Sequence, residues 1–259
     1  MAVNYRTMPT GRPEGTPPLE EKQGAYYYKY SYSWTSKSAS TVVNLCDTQL
    51  KFDSNSNNNG YIFLSCVGTA YNPPEYGIMT APDLNGVWYL YTRRTVTNSS
   101  SNGMNRTSIA VIEPDHEQPA NGIYTYTNSD PITIKITLSG SNIKGELLKN
   151  GVLIPGTTQT VIGSDSGISV SGDKNTFLLG TSFVPNPETS NPGNRNAYLR
   201  HVYLQNGILY SNTEYSGSQT SWVPDANNAV TYYGLLCRPE YISYNRFGST
   251  DEEVSIDYT

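Results

Sequence analysis

ITIKITLSGSNIKGELLKNGVLI, running from Ile132 to Ile154, decides the fold class. In its first part Ile132, Ile134, Ile136 and Leu138 alternate with Thr133, Lys135 and Thr137. Period-two alternation sends successive side chains to opposite faces of an extended strand, so one face is buried and the other is wet. SGSN then turns the chain into IKGELL. Asn150-Gly151 turns it again into VLI, because Asn-Gly accepts the positive φ of a type I′ turn. Connections this short join antiparallel neighbours, since parallel strands need long crossovers. The stretch predicts an antiparallel three-stranded meander.

The pattern extends outward in both directions. Asn206-Gly207 predicts a second hairpin between AYLRHVYLQ and ILYSNTEY. About a dozen short runs, among them TVVNLC, YIFLSC, VWYLYTRRTV, GIYTYT, TFLLGTSFV, VTYYGLLC and VSIDY, are separated by Gly, Asn, Pro or Ser. No run holds a 3.6-residue period. We expect an all-β chain: a two-sheet antiparallel β-sandwich of jelly-roll type over residues 24–259, behind a flexible Pro-rich leader over residues 1–23.

Composition narrows the function classes. Among 259 residues, 22 are Tyr against 5 Phe and 3 Trp, and only 15% are charged, for a net charge of −5. The densest basic pair is Arg93–Arg94, which cannot track a phosphate backbone, so nucleic acid is not an expected partner. No apolar run approaches the ~20 residues of a membrane span. Few lysines, much Asn, Ser and Thr, and the Pro-rich leader predict a secreted or extracellular protein from which a signal peptide has been removed. A monomer is expected.

Cys46 and Cys66 lie symmetrically about residue 56, inside the turn-forming run Ser54 to Gly60. A hairpin closing there would set them face to face, so a Cys46–Cys66 disulfide is expected. Cys237 is left over as a buried thiol. The run DSNSNNNG fails the calcium-loop pattern at its Gly and Glu positions and is better placed at a hairpin tip. No cofactor is predicted; structural calcium held by separate loops is the open alternative.

GAYYYKYSYSW, Gly24 to Trp34, is the densest aromatic run. By the strand period Tyr26, Tyr28, Tyr30, Tyr32 and Trp34 share one face, expected in the core along the middle of the strand, while the end rings Tyr26 and Trp34 could leave the core and meet a ligand. Tyr27, Lys29, Ser31 and Ser33 share the other, expected wet. Candidate ligand-binding residues come from two other strands and a loop. They are Trp88, Tyr89, Tyr91 and Arg93; Tyr198, Arg200, His201 and Tyr203; and Trp222. Sugars present apolar C–H faces, which flat rings with polar tips suit. Tyr89, Tyr91 and Arg93 share one strand face and Trp88 the other. Tyr71 and Tyr76 are expected in a loop. His116, in EPDHEQP, is expected in an exposed charged loop. No nucleophile stands in a telling context beside either histidine. Asp251, Glu253 and Asp257 lie at even spacing in DEEVSIDYT and are expected to guard a solvated sheet edge.

The strand spacing, ITIKITLSGSNIKGELLKNG and AYLRHVYLQNG resemble concanavalin A-like jelly rolls, the lectin and glucanase superfamily. AYLRHVYLQNG and YISYNRFGSTDEEVSIDY also resemble the uncharacterised secreted YrpD-type proteins of Gram-positive bacteria. The resemblance spans the chain from about residue 24 onward. It implies two curved antiparallel sheets, of which the concave side commonly binds glycans. The E-x-D-x-x-E signature of laminarinase-like members and the R-x-E-[LV]-R and Q-I-H signatures of alginate lyases are absent, so no catalytic residue carries over. The expected partner is a carbohydrate polymer or cell-envelope glycan bound through an aromatic-lined face. The alternatives are a polysaccharide hydrolase or lyase, and a structural or adhesive module without a small ligand.

Overall fold

A computed structural model describes residues 25–31, 36–53, 57–68, 73–94, 103–116, 119–163, 166–170, 176–186, 196–221, 229–233, 241–247 and 250–259. Two antiparallel sheets pack face to face. The smaller runs β16 (Ala229–Tyr233), β1 (Ala25–Ser31), β13 (Thr176–Asn186), β4 (Asn57–Val67), β5 (Glu75–Thr80), β6 (Trp88–Arg93) and β7 (Met104–Ile112). The larger runs β11 (Val152–Leu153), β10 (Asn142–Lys149), β9 (Ile132–Ser139), β2 (Ser38–Asn44), β14 (Tyr198–Tyr210), β18 (Asp251–Asp257) and β17 (Ile242–Phe247). Beside this row β12 (Gln159–Val161) pairs with β10, β15 (Gln219–Ser221) and β3 (Gln49–Lys51) pair with β14, and β8 (Ile123–Thr125) pairs with β3. Among the described residues no helix is long and apolar enough to cross a membrane.

The meander forms as its sequence dictates. Asn142 pairs with Ser139, leaving a two-residue loop with Gly140 at φ 61°. Lys149 pairs with Val152 across Asn150-Gly151, whose φ angles of 50° and 77° are both positive, as a type I′ turn requires. Ile132, Ile134, Ile136 and Leu138 all lie in the core.

Asn206-Gly207 behaves differently. Strand β14 runs straight through it: Tyr203 pairs with Asn44 and Ile208 with Ser40 of the same neighbour, β2. The left-handed Asn206, at φ 49°, forms a β-bulge instead of a turn. Both features need a positive φ, so the dipeptide alone does not choose between them.

The expected disulfide is absent. Cys46, in the turn before β3 of the larger sheet, and Cys66, on β4 of the smaller one, are free thiols, because the chain passes from one sheet to the other between Lys51 and Asn57 rather than folding back as a hairpin. The Cys46 thiol donates to the Thr127 carbonyl at 3.2 Å. Cys66 lies in the core, where burial pushes its thiol far above the usual range. Tyr76, expected in a loop, is a core residue of β5, and its hydroxyl donates to the Thr157 carbonyl at 2.5 Å. Tyr32, Trp34, Tyr71, Trp222, Cys237 and the leader fall outside the described residues.

The facing of β1 is the reverse of the expected one. Ala25, Tyr27 and Lys29 point into the sandwich and are fully buried. Tyr28 points out, where it meets Phe63 edge-on at 6.0 Å between ring centroids. The reason lies on β18, which is flanked on both sides and is therefore not a guarded edge. Its inward row includes Glu252, whose carboxylate receives the Tyr27 hydroxyl at 2.6 Å and the Lys29 ammonium at 3.2 Å. Just past the strand end Tyr258 accepts the Ala25 N–H at 2.8 Å and donates to the Phe183 carbonyl. A buried lysine is tolerable when a buried carboxylate meets it. These contacts tie the C-terminal strand of one sheet to the first strand of the other.

Candidate functional site

The sequence-predicted site residues fall on three surfaces. Trp88 faces the core and is fully buried. Tyr89, Tyr91 and Arg93 share the outer face of the smaller sheet, as their spacing predicts. Tyr198, Arg200, His201 and Tyr203 line the opposite side of the molecule, the outer face of the larger sheet. They do not make one site.

The smaller sheet's outer face is aromatic, and the rings at its centre are buried. Tyr61 and Tyr91 lie 5.0 Å apart between centroids, with Phe63 packed against Tyr91. The Tyr91 hydroxyl donates to Glu75 at 2.6 Å, and Arg93 donates to the other carboxylate oxygen at 2.8 Å. Burial and then the Glu75 charge push the Tyr91 phenol up. Tyr91 and Phe63 are each only 2% exposed, so a ligand cannot stack on either ring.

The larger sheet's outer face carries an open groove. One hollow of about 410 Å³ is lined by Asp47, Gln49, Thr125, Thr127, His201 and Tyr203. A second of about 290 Å³ is lined by Tyr203, Gln205, Phe247, Asp251 and Glu252. They meet at Tyr203, whose ring centroid lies 6.4 Å from that of Phe247. Phe247, on the outer strand β17, is 51% exposed.

A second bulge aims His201 into this groove. Leu199 pairs with Ile256 and Val202 with Val254, so Arg200 and His201 together face Ser255. Two residues against one is a bulge, and it lets both side chains point outward. His201 adopts the left-handed region at φ 62°, which costs a non-glycine residue on the order of 1–2 kcal/mol. Its backbone is held from both sides: its N–H donates to Ser255 Oγ at 2.9 Å, and its carbonyl accepts the buried Thr48 hydroxyl at 2.6 Å. Its ring Nδ1 meets Glu253 Oε1. The Glu253 side chain is 13% exposed and the imidazole 46%, so the carboxylate is the fixed partner and the ring is reachable.

The neighbouring polar groups are also arranged. Burial, and then the nearby Glu253, Asp47 and Cys46, push the Tyr203 phenol up from a range already above neutral, so it is a hydrogen-bond donor at neutral pH. Asp115 accepts from the Thr125 and Thr127 hydroxyls and from the Thr127 N–H. Burial works against this carboxylate, but those hydrogen bonds prevail and hold it below the usual range. Arg200 is committed elsewhere. Its guanidinium stacks 3.8 Å from the Tyr198 ring centroid and its Nε donates to Asp257 at 2.6 Å. Tyr198 is largely buried beneath it. Thus His201 and Tyr203 line the groove, while Tyr198 and Arg200 flank it.

Sequence reasoning missed Asp47, Gln49, Thr125, Thr127, Gln205 and Phe247. It noticed the even spacing of Asp251, Glu253 and Asp257 but assigned it to an edge. Their outward row on a flanked strand is what supplies Glu253.

No protein-family model matches the chain, and no curated protein sequence matches it. Among solved structures, the chain is similar to scytalido-glutamic peptidase bound to a transition-state analogue inhibitor. The TM-score is 0.51 at 10% identity, over 92% of this chain and 99% of that one. A second similar structure is SCP-B, a member of the eqolisin family of peptidases, in complex with the tripeptide Ala-Ile-His. Its TM-score is 0.48 at 12% identity, over 92% and 99% of the two chains. At these identities the likeness to scytalido-glutamic peptidase is one of fold: two antiparallel sheets packed as a sandwich.

Proposed function

We propose that this is a secreted or cell-surface protein that binds a polysaccharide or cell-envelope glycan in the groove on the larger sheet. The observation that carries the reading is the Tyr203–Phe247 pair, two reachable rings side by side along one groove. Aromatic faces attract the C–H faces of sugars, and a polar rim satisfies their hydroxyls. Here Asp47, Gln49, Gln205 and Asp251 supply that rim. The rings at the centre of the smaller sheet's outer face, Tyr61, Phe63 and Tyr91, are buried and offer no such access. The concanavalin A-like resemblance supports the glycan, and the YrpD-type resemblance supports secretion.

Tyr203→Ala and Phe247→Ala should each weaken binding to the best polymer of a soluble-glycan panel. The expected loss is ~5–10-fold, or about 1–1.4 kcal/mol per ring. Affinity electrophoresis reads this directly. Unchanged affinity in Tyr203→Ala would place the ligand elsewhere, and no binding to any polymer would end the reading. Hydrolysis in the same groove is a second reading, favoured by the His201–Glu253 contact.

A further inference from the structure

We propose that the groove hydrolyses acyl esters carried on the bound polymer, with His201 as general base and Glu253 as its positioning residue. This rests on the glycan-binding reading and adds a reaction to it. Three observations converge. The imidazole is presented by a strained, doubly braced bulge rather than by an ordinary strand position. Glu253 fixes Nδ1 from a recessed position, which leaves Nε2 as the ring nitrogen available at the groove. Tyr203 lines the same hollow and remains a hydroxyl donor.

A base, a carboxylate that orients it and a nearby donor are the parts that acyl transfer to water needs. Water attacks the ester carbonyl carbon while its proton passes to His201 Nε2. The new C–O bond makes a tetrahedral oxyanion, for which the Tyr203 hydroxyl and the Gln49 amide are the candidate donors. The bond to the sugar oxygen then breaks and the carbonyl re-forms. The imidazolium returns its proton to the leaving alkoxide. Ester and water give carboxylic acid and alcohol, with no oxidant, metal or co-substrate.

The chemistry selects esters over the two alternatives. Glycoside cleavage takes a pair of carboxyl groups flanking the bond, one as acid and one as base or nucleophile. Here the carboxylates Asp47 and Asp251 line different hollows, one on each side of Tyr203, and Glu253 is occupied by the imidazole. An amide's amine leaves far less readily than an alkoxide, and one exposed imidazole suffices for the easier case.

Acetate release from O-acetylated xylan and hydrolysis of p-nitrophenyl acetate test the proposal on the full chain. His201→Asn keeps a residue that accepts a positive φ, so the bulge is retained. It should lower kcat at least ~100-fold, the lower end for loss of a general base. Tyr203→Phe keeps the stacking ring and should lower kcat ~100-fold, as for a lost oxyanion donor. Glu253→Gln should lower kcat with KM unchanged, whereas a merely structural role would change both. Wild-type rates equal to those of His201→Asn on both substrates would overturn the proposal. Should His201→Asn fail to fold, an undiminished kcat in Tyr203→Phe together with Glu253→Gln would do the same. Binding of deacetylated xylan by the wild type, measured alongside, separates the failures. Binding without hydrolysis overturns this inference alone; hydrolysis without binding overturns the polymer-binding reading.

Discussion

Replacing Lys29 with methionine should cost the fold about 3–5 kcal/mol, the price of leaving a buried charge without its partner. Lys29 and Glu252 are each only 1% exposed, with Nζ 3.2 Å from Oε1. They join the first strand of the smaller sheet to the C-terminal strand of the larger one. Removing the ammonium leaves the Glu252 carboxylate buried with the Tyr27 hydroxyl against it, and a single hydroxyl does not replace a counter-charge. Changing Glu252 to leucine in the same chain, with Tyr27→Phe so that no hydroxyl loses its acceptor, should restore most of the loss. Buried ion pairs replaced whole by apolar groups are often neutral or stabilising. Urea unfolding midpoints read both effects. Wild-type stability in Lys29→Met would mean that the pair is not buried.

Gly145→Ala should be nearly as damaging, for a steric reason. Gly145 faces inward from β10, and the Tyr76 ring of the opposite sheet lies flat against it. A Cβ there would sit 2.1 Å from the ring carbons Cγ and Cδ2. The ring cannot slide freely, because its hydroxyl is held by the Thr157 carbonyl. Overpacking of this kind costs roughly 1–3 kcal/mol, and losing the buried hydrogen bond adds about 1 kcal/mol. Tyr76→Leu in the Gly145→Ala background should recover part of the loss by vacating the space. A thermal unfolding midpoint unchanged in Gly145→Ala would contradict the packing described.

The legible parts of the sequence were those set by local rules. The alternation from Ile132 to Leu138 and the turn at Asn150-Gly151 need only neighbours in the chain to be read, and both are realised. Trp88 was correctly set apart from Tyr89, Tyr91 and Arg93 by the strand period alone. The failures all depend on distant partners. Lys29 looks wet until Glu252, far along the chain, is placed opposite it. Asn206-Gly207 looks like a turn until both flanks are seen to pair with β2. The two cysteines look like a hairpin pair until the chain is seen to change sheets between them. His201 stood among the expected binding residues, but its left-handed bulge and its carboxylate partner arise from β18 pairing. Thr125 and Thr127 lie on and just past a three-residue strand and carry no pattern of their own.

Ligand is expected to enter over the larger sheet, not over the aromatic face of the smaller one. Amide chemical-shift mapping during titration with the best-binding soluble glycan tests it most directly. Perturbations are expected to centre on Gln49, His201, Tyr203 and Phe247, with Tyr28, Tyr89 and Arg93 unmoved. Perturbations centred on Tyr28, Tyr89 and Arg93 would contradict it.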